Sequence, residues 1–70
     1  MKNIIYVLPV PDGWAVKADG VQKPISVHHR KEDAEERGIA EARMHEALLY
    51  IRDEKGKDVL KNDFSNLPAL

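Results

Sequence analysis

The chain has 70 residues, with 11 basic and 12 acidic side chains, three histidines and a formal net charge of −1 at pH 7. That length makes one domain with a small core, and the lack of cysteine removes disulfides as a supplement to it. The even charge balance argues against a dedicated polyanion binder, and no apolar run approaches the roughly 20 residues of a membrane helix.

The run Asn3-Ile-Ile-Tyr-Val-Leu8 is β-branched and aromatic, and it predicts a mostly buried first strand that ends at Pro9. The same run is too short for a signal-peptide core and leads into Pro9, Pro11 and Asp12, so no export is read. With no cysteine to protect, a reducing cytoplasm is the expected location. Pro11-Asp12-Gly13 supplies the φ preferences of a tight reversal. A second strand then places Trp14, Val16 and Ala18 on one face by the period of two. Asp19-Gly20 predicts a two-residue hairpin into a short third strand carrying Ile25 and Val27, and Pro24 marks that strand as an edge.

From about Lys31 to Ala47 strong helix formers take over, with Glu32, Asp33, Glu35 and Glu36 where the helix dipole favours acids. Ala34, Gly38 and Ala42 stack at i, i+4 and i+8 beside Ile39, a narrow stripe that lets a helix backbone sit close to a sheet. The segment before it, Arg30 included, offers no Ser, Thr, Asn or Asp as an N-cap. An i,i+4 pair is expected between Asp33 and Arg37. Leu48-Leu-Tyr-Ile51 predicts a fourth strand, Asp53 to Gly56 a turn, and Asp58 to Lys61 a fifth strand. The expected division is one domain over residues 1–64 and a frayed tail over residues 65–70. The expected fold is α+β: a small antiparallel sheet in ββ(β)αββ order with one helix packed on one face. Its core is predicted from Ile5, Val7, Trp14, Val16, Val27, Ile39, Leu49 and Ile51.

Leu8-Pro-Val-Pro-Asp-Gly-Trp-Ala-Val-Lys17, the acidic helix after Val27-His28, and the hairpin from Ile51-Arg52-Asp53 through Gly56-Lys57 together resemble a small bacterial family, the domain of unknown function 2188. The Asp-Gly-Trp-Ala-Val-Lys portion is the specific part of the likeness. The chain departs from the family where His28-His29-Arg30-Lys31 replaces the usual Ser or Thr cap. The resemblance implies a compact ββ(β)αββ domain and carries no established activity.

No catalytic, cofactor or metal site is read from the residues. His28 and His29 are adjacent and so point to opposite faces of a strand, and His45 belongs to the helix, without ligands at metal spacing. The hydroxyl groups are Tyr6, Ser26, Tyr50 and Ser65, none in triad-like company. Of Asp12, Asp19, Asp53, Asp58 and Asp63, which could in principle supply an acid/base pair, four fall in turns or at strand ends, where aspartate serves turn chemistry. The expectation is a non-enzymatic, cofactor-free module that binds a protein partner or itself as a homodimer, without membrane contact. Its expected surface is an outward sheet face or the acidic helix, with Tyr6, Lys17, Lys23, Glu32, Glu35 and Glu36 as candidate residues. The alternative is a nucleic-acid-binding face using Lys17, Lys23, Arg30 and Lys31, since small sheets with aromatics and cations can stack bases and hold phosphates.

Overall fold

The chain runs β1 (Ile4–Val10), β2 (Gly13–Ala18), β3 (Ser26–His28), α1 (Lys31–Met44), β4 (Leu48–Arg52) and β5 (Asp58–Asp63) in a computed structural model that describes residues 3–65. The five strands form one sheet in the order β3-β2-β1-β4-β5, and the helix lies across one face of it. The domain is α+β, as the sequence predicts. The predicted tail lies, from residue 66 onward, outside the described residues.

One expectation about the sheet is corrected. It is mixed, because β1 and β4 run parallel, with Ile5 opposite Leu49 and Val7 opposite Ile51, while the other three pairings are antiparallel. The cause is the crossover: β3 runs in the direction of β1, and the 14-residue helix carries the chain back to the end where both began. The next strand must therefore start at that end.

β1 continues through Pro9, two residues past its predicted stop, and pairs Pro9 with Trp14. Pro9 lies beyond Val7, the last β1 residue in register with β4, so its missing N–H interrupts none of that pairing. Gly13 opens β2 with φ of +147°, and a Cβ there would land on the His28 carbonyl of the neighbouring strand. Glycine alone fits this crossing. The Asp19-Gly20 turn forms, with Gly20 at φ +81°, but the connection to β3 is longer than two residues. The chain rejoins β2 only when Ile25 N–H donates to the Val16 carbonyl at 2.7 Å. Pro24, which has no N–H to give, is in the excluded stretch.

On the helix side, Ile5, Val7, Val16, Leu49 and Ile51 meet Ala34, Ala42 and Ala47, and Trp14, Ile25, Ile39 and Phe64 pack around this cluster. Gly38 is the closest point: a Cβ on it would stand 2.7 Å from Val7 Cγ2 and 3.2 Å from Leu49 Cδ1. Small residues on the stripe thus set the helix height above the sheet. Trp14 is half-buried, with the Lys31 ammonium 5.2 Å from its ring centroid. Val27, predicted for the core, is 54% exposed on the opposite face of the sheet, because it pairs with Ala15 and not with a helix-facing residue.

The helix begins at Arg30 in extended conformation without a side-chain cap, and Arg30 instead pairs with Glu32 and Asp33 of the first turn. Arg37 pairs with Glu41 at 3.4 Å, replacing the expected Asp33 partner, which lies with Arg30. The helix stops at Met44, before the predicted Ala47. Glu46 turns left-handed at φ 51°, and Ala47 N–H reaches back to the Ala42 carbonyl at 2.8 Å.

Candidate interaction face

Strand parity divides the side chains of the sheet. Ile5 and Val7 of β1, Val16 of β2, and Leu49 and Ile51 of β4 are buried on the helix side. Their neighbours Ile4, Tyr6, Leu8, Ala15, Lys17, Leu48, Tyr50 and Arg52 therefore face the other way. The register with the edge strands adds Val27 beside Ala15, Leu60 beside Tyr50, and Asp58 beside Arg52. No element of the described residues covers this face, since the only helix lies on the other.

The face is ordered in rows. Lys17, Tyr6, Tyr50 and Leu60 form one row across four strands, and Val27, Ala15 and Leu8 form the start of the next. Tyr6 and Tyr50 stack with centroids 5.9 Å apart and planes at 29°. Arg52 lies over the Tyr6 ring at 5.6 Å and binds Asp58 through Nε at 2.8 Å and Nη2 at 3.4 Å. This pairing with Asp58 raises the Arg52 guanidinium above its ordinary value. Burial, followed by the Asp19 and Asp58 carboxylates, raises the Tyr6 phenol. Ala15 is 1% exposed although no helix covers it, since it sits in register between the larger Leu8 and Val27. Val27 and Leu60 remain 54% and 48% exposed.

The residues singled out in the sequence fall on different surfaces. Tyr6 and Lys17 are adjacent on the open face. Glu32, Glu35 and Glu36 belong to the helix on the other side of the sheet, and Lys23 is in the exposed loop before β3. Of the four cations proposed for nucleic acid, only Lys17 is on the open sheet face. Lys31 is held over Trp14 on the helix side, and Arg30 is paired with acids at the helix start. Tyr50, Arg52, Leu8 and Leu60, which are not among the contact residues expected from the sequence, build most of the face. The signal for Tyr50 was present in Leu48-Leu-Tyr-Ile51: if Leu49 and Ile51 are core, Tyr50 points outward.

Among the described residues, no group of three or more His, Asp or Glu converges as a metal site. His28 Nε2 lies 2.9 Å from Ser26 Oγ within β3. The surface depression bounded by Asn3, Ala18, Asp19, Ile25 and His45 measures about 310 Å³. Asn3 Nδ2 there already donates to the His45 carbonyl at 3.1 Å. No helix of the described residues is long and apolar enough to cross a membrane.

The architecture defines a class: a small α+β domain whose mixed five-stranded sheet has a helix on one face and an apolar, aromatic surface on the other. Residues 5–62 match the family described as "uncharacterized protein conserved in bacteria (DUF2188)", and the chain belongs to that family. Neither a curated protein nor a solved structure matches it.

Proposed function

We propose that this domain is a non-enzymatic protein-interaction module that uses the open sheet face as its contact surface. The observation that supports this reading is the row of Lys17, Tyr6, Tyr50 and Leu60 next to Leu8 and Val27, an apolar and aromatic surface that also carries Arg52 paired with Asp58. Tyrosine and arginine are enriched in interface centres because they bury a large area and still satisfy polar tips. The helix is a weaker candidate, since Glu32 and Glu41 already have cationic partners within the chain.

A nucleic-acid reading draws on the Tyr6–Tyr50 pair, which has the placement of a base-stacking platform beside Lys17. It is disfavoured by Asp19 and Asp58, whose carboxylates are near enough to Tyr6 to raise its pKa and would repel a phosphate backbone. A photo-crosslinking amino acid at position 60, with position 59 as the control, distinguishes the readings in living cells. Adducts to polypeptide from position 60 alone support the interaction module. Adducts to nucleic acid select the alternative, and equal yields from both positions refute the assignment to this face.

A further inference from the structure

Two aspartates are followed directly by glycine, Asp12-Gly13 and Asp19-Gly20. In such a pair the backbone nitrogen of the glycine meets little hindrance in attacking the preceding carboxyl group, because glycine has no Cβ. The fold treats the two pairs differently. Gly13 is already inside β2: it pairs with Val10 across the hairpin, and its backbone lies so close to the His28 carbonyl that a Cβ would collide with that oxygen. Gly20 is exposed at φ +81°, with nothing within 4 Å of the place a Cβ would take. Among the described residues its N–H has no hydrogen-bond partner. Residues 19–24 are all exposed. Between Asp19, whose N–H donates to the Ile4 carbonyl at 2.9 Å, and Ile25, the one backbone bond among the described residues of this loop is Val21 N–H to the Ala18 carbonyl at 3.1 Å.

We propose that Asp19-Gly20 is a self-modification site at which the folded chain converts aspartate into isoaspartate, while Asp12-Gly13 stays intact. The exposed loop lets Asp19 turn about ψ until the Gly20 nitrogen reaches Cγ of the protonated carboxyl. The nitrogen gives up its proton and forms a C–N bond to Cγ, the hydroxyl leaves as water, and a five-membered succinimide results. Water then adds to one of the two ring carbonyls. Opening at the Cγ–N bond restores aspartate, and opening at the original peptide C–N bond leaves isoaspartate. One water is lost and one is gained, so no oxidant, reductant or cofactor enters. The main chain becomes one carbon longer just after β2, and a carboxylate close enough to Tyr6 to act on its phenol is displaced. At Asp12 the same rotation would pull Gly13 out of its pairing with Val10 and away from the His28 carbonyl, so the reaction there waits for local opening of the hairpin.

Incubating the full chain for weeks in water enriched in oxygen-18, then digesting it and fragmenting the peptides by electron transfer, reads both positions in one sample. Each passage through the succinimide leaves one heavy oxygen, and the fragments separate isoaspartate from aspartate. In the folded chain position 19 should convert at least about tenfold faster than position 12, which reacts only from the locally opened hairpin. In guanidinium chloride sufficient to unfold the chain, the two positions should convert alike. Gly20→Asn keeps a residue that tolerates positive φ and should slow conversion at position 19, with circular dichroism establishing that the variant is folded. Equal conversion at both positions of the folded chain, or none at position 19, overturns the proposal. An excess at position 19 that persists after unfolding assigns the difference to local sequence and overturns the role of the fold.

Discussion

Replacing Gly38 by alanine inverts the ordinary helix rule, and the reason can be worked from two distances. In an exposed helix interior, glycine to alanine gains about 1 kcal/mol, because alanine loses less backbone entropy on folding. Here the added methyl would stand 2.7 Å from Val7 Cγ2 and 3.2 Å from Leu49 Cδ1, against a comfortable carbon–carbon separation of about 3.5–4.0 Å. Neither neighbour has room to retreat, since both are fully buried and Val7 is stiff at χ1. The helix must lift or the valine must leave its rotamer, an overpacking cost of about 1–3 kcal/mol. The expected balance for Gly38→Ala is a net loss of up to about 2 kcal/mol, or up to about 15 °C in Tm for a domain this small. Urea unfolding followed by Trp14 fluorescence measures it. Val7→Ala supplies the decisive background: it is destabilising alone, yet once the Cγ2 methyl is gone Gly38→Ala should become neutral or stabilising. A double-mutant cycle reads this coupling directly. Additive effects, or a stabilised single variant, would refute the claim that this contact sets the helix height.

Three further outcomes are expected. Glu46→Gly should raise stability by about 0.5–1 kcal/mol, because Glu46 holds φ 51° and places a carboxylate at the negative end of the helix; a lowered Tm would count against this account of the helix stop. Asp53→Ala should cost about 1–2 kcal/mol, since Asp53 Oδ1 accepts from the backbone N–H groups of Lys55 and Lys57, each at 2.9 Å. Hydrogen exchange of the β4–β5 amides detects it, and unchanged protection would mean that the turn forms without this carboxylate. The Tyr6 phenol is held above 10.0, so its protonated form is favoured in the folded chain. Its contribution is complete below the ordinary tyrosine pKa and is lost as pH rises through the raised value. Tyr6→Phe should therefore flatten the loss of stability as pH rises above about 10, and identical slopes for both proteins would contradict it.

What the sequence made legible follows the range of the physics involved. Alternation is local, so Ile5 with Val7, and Leu49 with Ile51, were assigned to the buried side from their own strands. The Pro11-Asp12-Gly13 reversal and the small-residue stripe Ala34, Gly38 and Ala42 are likewise local. The parallel pairing of β1 with β4 was not legible, because it joins segments more than 40 residues apart and depends on where the helix returns the chain. Val27 was misplaced for a related reason: β3 has three residues, and a shift of one residue exchanges its faces. Of the candidate contact residues, Tyr6 and Lys17 could be found from parity alone. Tyr50, Arg52 and Leu60 become their neighbours only through the long-range register of β4 and β5.

Among the described residues the single helix lies on one side of the sheet, which leaves the apolar groups of the other side uncovered. A helix that touches the sheet through Ala34, Gly38 and Ala42 approaches closely but covers little, and its contacts are concentrated on β1, β2, β3 and β4. The core beneath it has Leu49, Val7 and Val16 as its largest fully buried side chains, so the interior is shallow. The remaining large apolar and aromatic groups, Leu8, Tyr6, Tyr50 and Leu60, were not drawn into that interior, because strand alternation directs them to the opposite side. Covering them on a second surface would add buried area to a domain whose size limits what it can bury alone. On this argument the contact proposed for the open face contributes to stability as well as recognition, and an occupant that binds the folded chain there should raise its Tm.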